Sequence, residues 1–298
     1  MDLQALRYFR IVAREGSFSK AAQTLCYAQS NLSTKIRQME EEVGTPLFYR
    51  HAFGVTLTDK GETLLSYADQ LFRLLLEAEI AVKEDGTAKG TLSVGAMESA
   101  AITFLPELLA EYYRAHPRVS LDVRTGVSEV LLRGVLDYTL DGAFVARVTG
   151  HAELASCPVR RERLALFSSA SFGAGTSLSM LLAGPLLVLP NGCSYRRILE
   201  RWVSEAQIFS ERAVTFDSIG ALLASASAGL GATLLPESIA TAYTAAKTLT
   251  PHPVPEPYAW ADISFVWRKD RFMDSTLQSF IELVRVANRS GTGELRNP

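Results

Sequence analysis

Between residues 29 and 37 the chain gathers Gln29, Ser30, Asn31, Ser33, Thr34, Lys35 and Arg37. Gln and Asn amides can pair with two atoms of adenine at once, Ser and Thr hydroxyls reach several bases, and Lys and Arg neutralise phosphates. That mixture suits the edges and the backbone of duplex DNA. Ser17 and Ser19 stand upstream and Arg50 downstream, and they join the candidates. Lys35, Arg37 and Arg50 read mainly as phosphate contacts. Taken alone, the stretch also fits a three-helix bundle whose polar face is merely solvated.

The elements that must hold these side chains are legible on either side. Leu6, Phe9 and Val12 recur at helical spacing and predict a helix from about Leu3 to Arg14, broken by Gly16. Ser19 is placed to cap a short helix through Ala21, Ala22 and Leu25. A third helix carries Leu32, Ile36, Met39 and Val43 on its inner face, with Gly44 to end it and Pro46 to forbid its continuation. The two short helices and their turn form a helix-turn-helix, whose second helix enters the major groove with its N-terminal residues at base edges. Residues 49–57 follow as a small hairpin turning at Gly54. Thr58 caps a long helix with Leu64, Leu65, Ala68, Leu71, Phe72, Leu75 and Ile80 on an apolar stripe. A stripe that long must be buried, and a second copy of the chain is the simplest cover.

Past a polar linker, Lys83 to Lys89, the texture changes. Strands at 91–95, 119–123, 140–145, 164–167, 186–189, 214–216, 232–235 and 263–267 alternate with helices at 102–114, 127–136, 196–207, 219–228 and 276–286. Pro251 to Pro257 reads as a Pro-rich loop, and Ser290 to Pro298 as frayed. Such alternation predicts parallel, doubly wound α/β units. Two of similar size describe a two-lobed receptor with a cleft.

Composition narrows the class. Of 298 residues 48% are apolar, and the formal net charge is −2. Any contact with DNA is therefore local. Residues 1–58 hold seven Lys/Arg against five Asp/Glu, three of the latter being Glu40, Glu41 and Glu42. Cys26, Cys157 and Cys193 are odd in number and widely spaced, which fits a reducing compartment and no disulfide framework. With His51, His116, His151 and His252 scattered, neither a metal nor another cofactor is expected. The start lacks the pattern of a signal peptide, and no apolar run reaches the ~20 residues of a membrane span. The expected location is the cytoplasm.

Residues 1–62 resemble the winged helix-turn-helix of LysR-type transcriptional regulators. The matching residues are Leu6, Tyr8-Phe9, Val12, Gly16-Ser17-Phe18, Ala21-Ala22, Leu25, Gln29-Ser30, Leu32-Ser33, Ile36, Leu47-Phe48, Arg50, Leu57-Thr58 and Gly61. The remainder is similar to the family's effector domain through Leu105-Pro106, Pro117, Leu136-Asp137, Ala228-Gly229-Leu230-Gly231 and Leu235-Pro236. The resemblance implies a winged head over residues 1–58, a linker and dimerisation helix over 59–89, and a regulatory domain over 90–298. In that domain lobe I takes about 90–160 plus 266–290 and lobe II about 162–262, resembling type 2 periplasmic binding proteins. It further implies promoter DNA, a small effector and RNA polymerase as partners, with self-association as dimer or tetramer. Two residues depart from the family pattern: Ala28 withholds a cap oxygen before the recognition helix, and Phe53 stands where the wing often has Arg.

In the family's fold the effector sits where strands hand over to helix N-termini, whose free N–H groups favour anions. Three turns qualify here: Glu98, Ser99 and Ala100; Gly192, Cys193, Ser194 and Arg196; Phe216, Asp217 and Ser218. The hydroxyls can orient a ligand or simply cap helices. Arg196 or Arg197 can pair with a carboxylate, so a small carboxylate is the first candidate class. Cys193, beside a helix N-terminus and two arginines, offers a redox-responsive alternative. The neighbourhood resembles that of peroxide-sensing members, but Ser194 holds the place of their cysteine and no cysteine follows. A two-lobed enzyme is the contrasting reading, and it lacks a dinucleotide fingerprint, a phosphate loop and a nucleophile elbow. A transport receptor is the third, and the missing signal peptide opposes it.

Overall fold

Asp2 starts the first helix and Gly16 stops it. The Asp2 carboxylate accepts the Ala5 amide N–H at 2.7 Å, and Gly16 takes the left-handed φ of 60° that releases the chain from α1, Leu3–Glu15. The computed structural model describes residues 1–51, 54–83, 86–146, 151–173, 175–210 and 212–290, in two compact units, Met1–Lys83 and Glu84–Pro298. In the first unit α2, Phe18–Thr24, is capped by Ser17, whose hydroxyl accepts the Lys20 N–H, and not by Ser19 as expected. The recognition helix α3, Gln29–Val43, begins at Ala28, which makes no side-chain cap, and ends at Gly44 with φ 74°. Phe9, Val12, Ala21, Leu32, Ile36, Met39 and Leu47 bury the faces of the three helices against one another.

The hairpin pairs β1, Phe48–His51, with β2, Gly54–Leu57, from Phe48↔Leu57 to His51↔Gly54. Gly54 is thus the first residue of β2 and not the turn itself. Its role is close approach: Val55 N–H donates to Gly16 O at 2.9 Å, and a Cβ on Gly54 would lie 2.4 Å from that oxygen. The wing is clamped to the end of α1. The tip residues Ala52 and Phe53, the latter the expected departure from the family pattern, lie outside the described residues. Thr58 accepts the Gly61 N–H and donates to Pro46 O, so it caps α4, Asp59–Lys83, and ties it to the chain before the wing.

The second unit contains β3 (Gly90–Ala96), α5 (Glu98–Thr103), α6 (Leu105–Ala115), β4 (Val119–Thr125), α7 (Ser128–Leu136) and β5 (Gly142–Ala146). It continues through β6 (Leu154–Ser169), α8 (Leu178–Ala183), β7 (Leu186–Val188), α9 (Ser194–Glu205), β8 (Ala213–Thr215) and α10 (Ile219–Ser227). Then come β9 (Thr233–Pro236), α11 (Thr241–Ala245), β10 (Leu249–Pro253), β11 (Trp260–Arg268) and α12 (Ser275–Ser290). The single helix expected over 102–114 is instead two, since Pro106 in the first turn of α6 has no N–H to continue α5. Residues 291–298, expected to fray, lie outside the described residues, as do Glu84 and Asp85 of the linker.

The sheet is not wholly parallel. β4, β3 and β5 run parallel, but β11 joins β5 antiparallel, β6 joins β11 antiparallel, and β9 and β10 both pair antiparallel with β6. The 16-residue β6 departs most from expectation: the sequence predicts a strand only over 164–167, and the structure begins it ten residues earlier, at Leu154. Pro158 and four charged residues hide them. Pro158 sits beside an irregularity in the β6–β11 register, where a missing N–H is tolerated. The Pro-rich loop is likewise in part a strand: Pro251 and Pro253 belong to β10, at the sheet's edge. β6 and β11 carry the chain between two sets of cores. One side holds Leu92, Val94, Phe144, Phe265 and Phe280 with a second cluster around Leu131 and Val145; the other holds Leu166, Leu187, Leu222 and Leu234.

Candidate DNA-reading face and effector cleft

On α3, residues 29, 33 and 37 line one flank and 30 and 34 the outward ridge, given about 100° per residue. Gln29, Ser30, Asn31, Thr34, Lys35 and Arg37 are exposed and Ser33 is half-buried. The Ser19 hydroxyl donates to Gln29 Oε1 at 3.0 Å. That bond holds the amide and leaves its N–H₂ outward as a donor. Thr34 donates its hydroxyl back to Ser30 O at 2.9 Å, which leaves its methyl for apolar contact. Lys35 stands on the opposite flank, in a shallow cavity with Asp2, Gln4 and Glu42. Ser17 is spent on its cap.

Arg50 is tied to the head itself. Its guanidinium meets Glu40 Oε2 at 3.2 Å and lies over the Phe18 ring. The other Glu40 oxygen accepts the backbone N–H groups of Leu47 and Phe48 at 2.8 and 3.2 Å. Glu40, the first of the three glutamates, therefore fastens the wing to the recognition helix. Cys26 is exposed at the α2–α3 turn with a left-handed φ of 50°.

In the second unit the expected turns meet around a cleft of about 340 Å³. Glu98, Ser99, Cys193 and Asp217 line it. A fourth strand-to-helix turn, missed in the sequence, contributes Thr125, Gly126, Val127, Ser128 and Val130. Its signal was present: β4 hands over to α7 as β3 does to α5. Tyr195, also missed, stands at the floor, its hydroxyl 2.9 Å from Ser99 Oγ. Behind it is Glu162, whose carboxyl burial pushes above the usual range despite the nearby Arg160 and the hydroxyls of Ser238 and Tyr195.

Other candidates lie elsewhere. Ala100 is in a core. Ser194 donates to Ala146 O at 3.1 Å and meets Ser128 Oγ at 3.3 Å. Phe216 packs against the core around Leu166, Leu187, Leu222 and Leu234. Gly192 supports the cleft from outside: at φ 88° its backbone passes so near Glu129 that a Cβ would lie 2.9 Å from that side chain's own. Arg196 turns back, with Nε 2.7 Å from Glu200 and Nη1 donating to Leu189 O at 3.1 Å, so it offers no cation to the cleft. Ser218 begins α10, and its hydroxyl lies 3.5 Å from Glu98. Ile219 N–H donates to both Glu98 oxygens, at 3.1 and 3.0 Å. Cys193 is buried, and burial pushes its thiol up despite the N–H groups of Arg196 and Tyr195 and the charge of Arg197. A thiol so placed is a poor thiolate, which weakens the redox alternative.

Two family models cover most of the chain: "Bacterial regulatory helix-turn-helix protein, lysR family" over residues 3–62 and "LysR substrate binding domain" over residues 85–288. The chain belongs to the LysR family of transcriptional regulators. It is 38% identical to the uncharacterised HTH-type transcriptional regulator YusT of Bacillus subtilis over 282 residues, 95% of each chain. It is 37% identical to the HTH-type transcriptional regulator GltR of the same organism over 285 residues, 96% of each. The fold is also that of full-length CbnR, solved in complex with its target DNA, at a TM-score of 0.69 and 23% identity over 96% of this chain and 100% of that one. This LysR-type regulator thus pairs a DNA-binding helix-turn-helix with an effector-binding domain, and its relatives are regulators. Among its described residues no helix is long and apolar enough to cross a membrane.

Proposed function

We propose that the chain is a cytoplasmic, sequence-specific regulator of promoters, which reads DNA with α3 and answers to a small molecule held in the cleft between its two lobes. The observation that carries this reading is the Ser19–Gln29 hydrogen bond at the exposed start of α3, a base-reading amide held in place before DNA arrives. Ser30, Ser33, Thr34 and Arg37 complete the face; Asn31 and Lys35 serve its far flank and Arg50 steadies the wing. Glu98, Ser99, Cys193, Asp217 and the missed Thr125–Val130 turn hold the effector. Ligand binding shifts the balance between lobe arrangements and so alters DNA bending or contact with RNA polymerase.

The unit of action is a dimer or a tetramer, with its heads spaced along one operator. Tyr67, Leu71, Leu74, Leu75, Leu76 and Val82 are exposed on α4, and a second copy of the chain covers them. Footprinting of the full-length protein across its host genome tests the reading. Discrete promoter peaks that fade in Gln29→Ala support it, and a featureless profile contradicts it.

A further inference from the structure

The helix N-termini around the cleft are suited to an anion, yet the one at α10 is already taken. Glu98, from the lobe that holds β3, reaches across to α10 of the other lobe, and both its oxygens accept the Ile219 N–H at 3.1 and 3.0 Å. Ser218 Oγ is 3.5 Å away, and Asp217, next in the chain, shares the cleft wall. No Lys, Arg or His among the described residues lines the cleft. Arg196, the nearest candidate cation in sequence, is bound to Glu200 and Leu189 O. The remaining wall is largely apolar, with Met97, Val127, Val130, Leu189 and Ile219.

We infer that Glu98 sets the charge class of the effector: the cleft takes a small molecule that presents a primary ammonium group to Glu98 and Asp217 and an apolar body to the valines. This rests on the reading of the cleft as the effector site. The physical reason is an asymmetry of cost. An incoming carboxylate meets two like charges and finds the Ile219 N–H of α10 occupied, so to reach that donor it must evict Glu98 and leave that charge unpaired. An ammonium gains charge-assisted bonds from oxygens that keep their bond to α10, since a carboxylate has acceptor sites to spare. The volume of about 340 Å³ admits a small ring or a branched chain. Glu98 is then a specificity-determining residue, and because it also bridges the lobes, the ligand it selects acts on one of the contacts that hold them together.

Isothermal titration of the full-length protein with matched pairs of probes tests the inference: benzylamine against benzoate, and isoamylamine against 4-methylpentanoate. Both amines are expected to bind about tenfold or more tightly than their carboxylate partners, the worth of a charged hydrogen bond. Glu98→Gln keeps a carbonyl oxygen for Ile219 N–H, so the fold survives; it is expected to lose that preference. Carboxylates binding the wild type as tightly as the amines, no probe binding at all, or amine affinity unchanged in both Glu98→Gln and Asp217→Asn would each overturn the inference. Val130→Trp, which fills the cleft at an exposed position, separates the two levels of the claim. Carboxylate binding that Val130→Trp abolishes leaves the cleft as the effector site and sinks only the charge assignment. Binding of either class that survives Val130→Trp places the ligand elsewhere and overturns both.

Discussion

Ser19 Oγ donates to Gln29 Oε1 at 3.0 Å, from the second residue of α2 to the first of α3. The bond crosses the turn of the helix-turn-helix and partly offsets what Ala28 withholds, because it braces the start of a recognition helix that has no capping side chain. Gln29→Ala should cost about 1–3 kcal/mol on the cognate duplex and little on a scrambled one. Ser19→Ala should cost less, in the same direction. Anisotropy titrations on both duplexes distinguish this from a general loss of affinity.

Arg50→Ala should behave differently, weakening cognate and scrambled duplexes alike, since the guanidinium is held by Glu40 against the recognition helix and carries no base information. Equal discrimination by Arg50→Ala and Gln29→Ala would end that division of labour. Glu40→Ala should free the amides of Leu47 and Phe48, which hydrogen exchange reports as faster exchange at those two sites.

The expected stripe on α4 is partly covered by the head itself, through Leu64, Leu65, Ala68 and Phe72; cover of the exposed Tyr67, Leu71, Leu74, Leu75, Leu76 and Val82 by a second copy predicts that the protein sediments as a dimer or larger. Leu74, 66% exposed, is the sharpest position: Leu74→Asp should weaken self-association at about micromolar protein without unfolding the head, whose core it does not enter. A monomeric wild type would remove the basis for paired half-sites.

Glu162 predicts a pH dependence whose sign is set by its raised carboxyl. A folded-state value above the unfolded one means the native state holds its proton more tightly, so this residue's contribution is fully present below the ordinary carboxylate range and is lost as pH rises through the folded value. Above the ordinary carboxylate range, keeping this carboxyl buried is a cost. Glu162→Gln should therefore raise the melting temperature at neutral pH, and the gain should shrink as pH falls toward the carboxylate range. A gain that grows on acidification would contradict this.

Cys193→Ser should leave transcription unresponsive to peroxide, as in the wild type, because the thiol is buried and its ionisation disfavoured. Oxidant-dependent transcription that Cys193→Ser abolishes would restore the redox reading.

The head was legible almost residue by residue because its signals are local: Leu32, Ile36 and Met39 mark the inner face of α3, and Gly44 and Pro46 its end. What failed there was choice between near neighbours. Ser17 and Ser19 are both good caps, and only the backbone shows that Ser17 takes the cap while Ser19 reaches Gln29. In the larger unit the failures come from tertiary context. Leu154–Arg163 carries charge and a proline, and it is a strand only because β11 pairs with it. The cleft was found at three of its four turns, yet Arg196 could not be seen to fold back on Glu200, nor Glu98 to reach a helix 121 residues away. Spacing along a chain predicts helix faces; it does not say which lobe a long side chain will touch.

The central claim, that α3 reads sequence at a promoter, is tested most directly by selection of duplexes from a random-sequence pool with the full-length protein, wild type and Gln29→Ala side by side. The account predicts that the wild type converges on two inverted half-sites set whole helical turns apart. Gln29→Ala should recover the same spacing with one position in each half-site relaxed. A pool that never converges, or one whose preferred sequence is unchanged by Gln29→Ala, would contradict it.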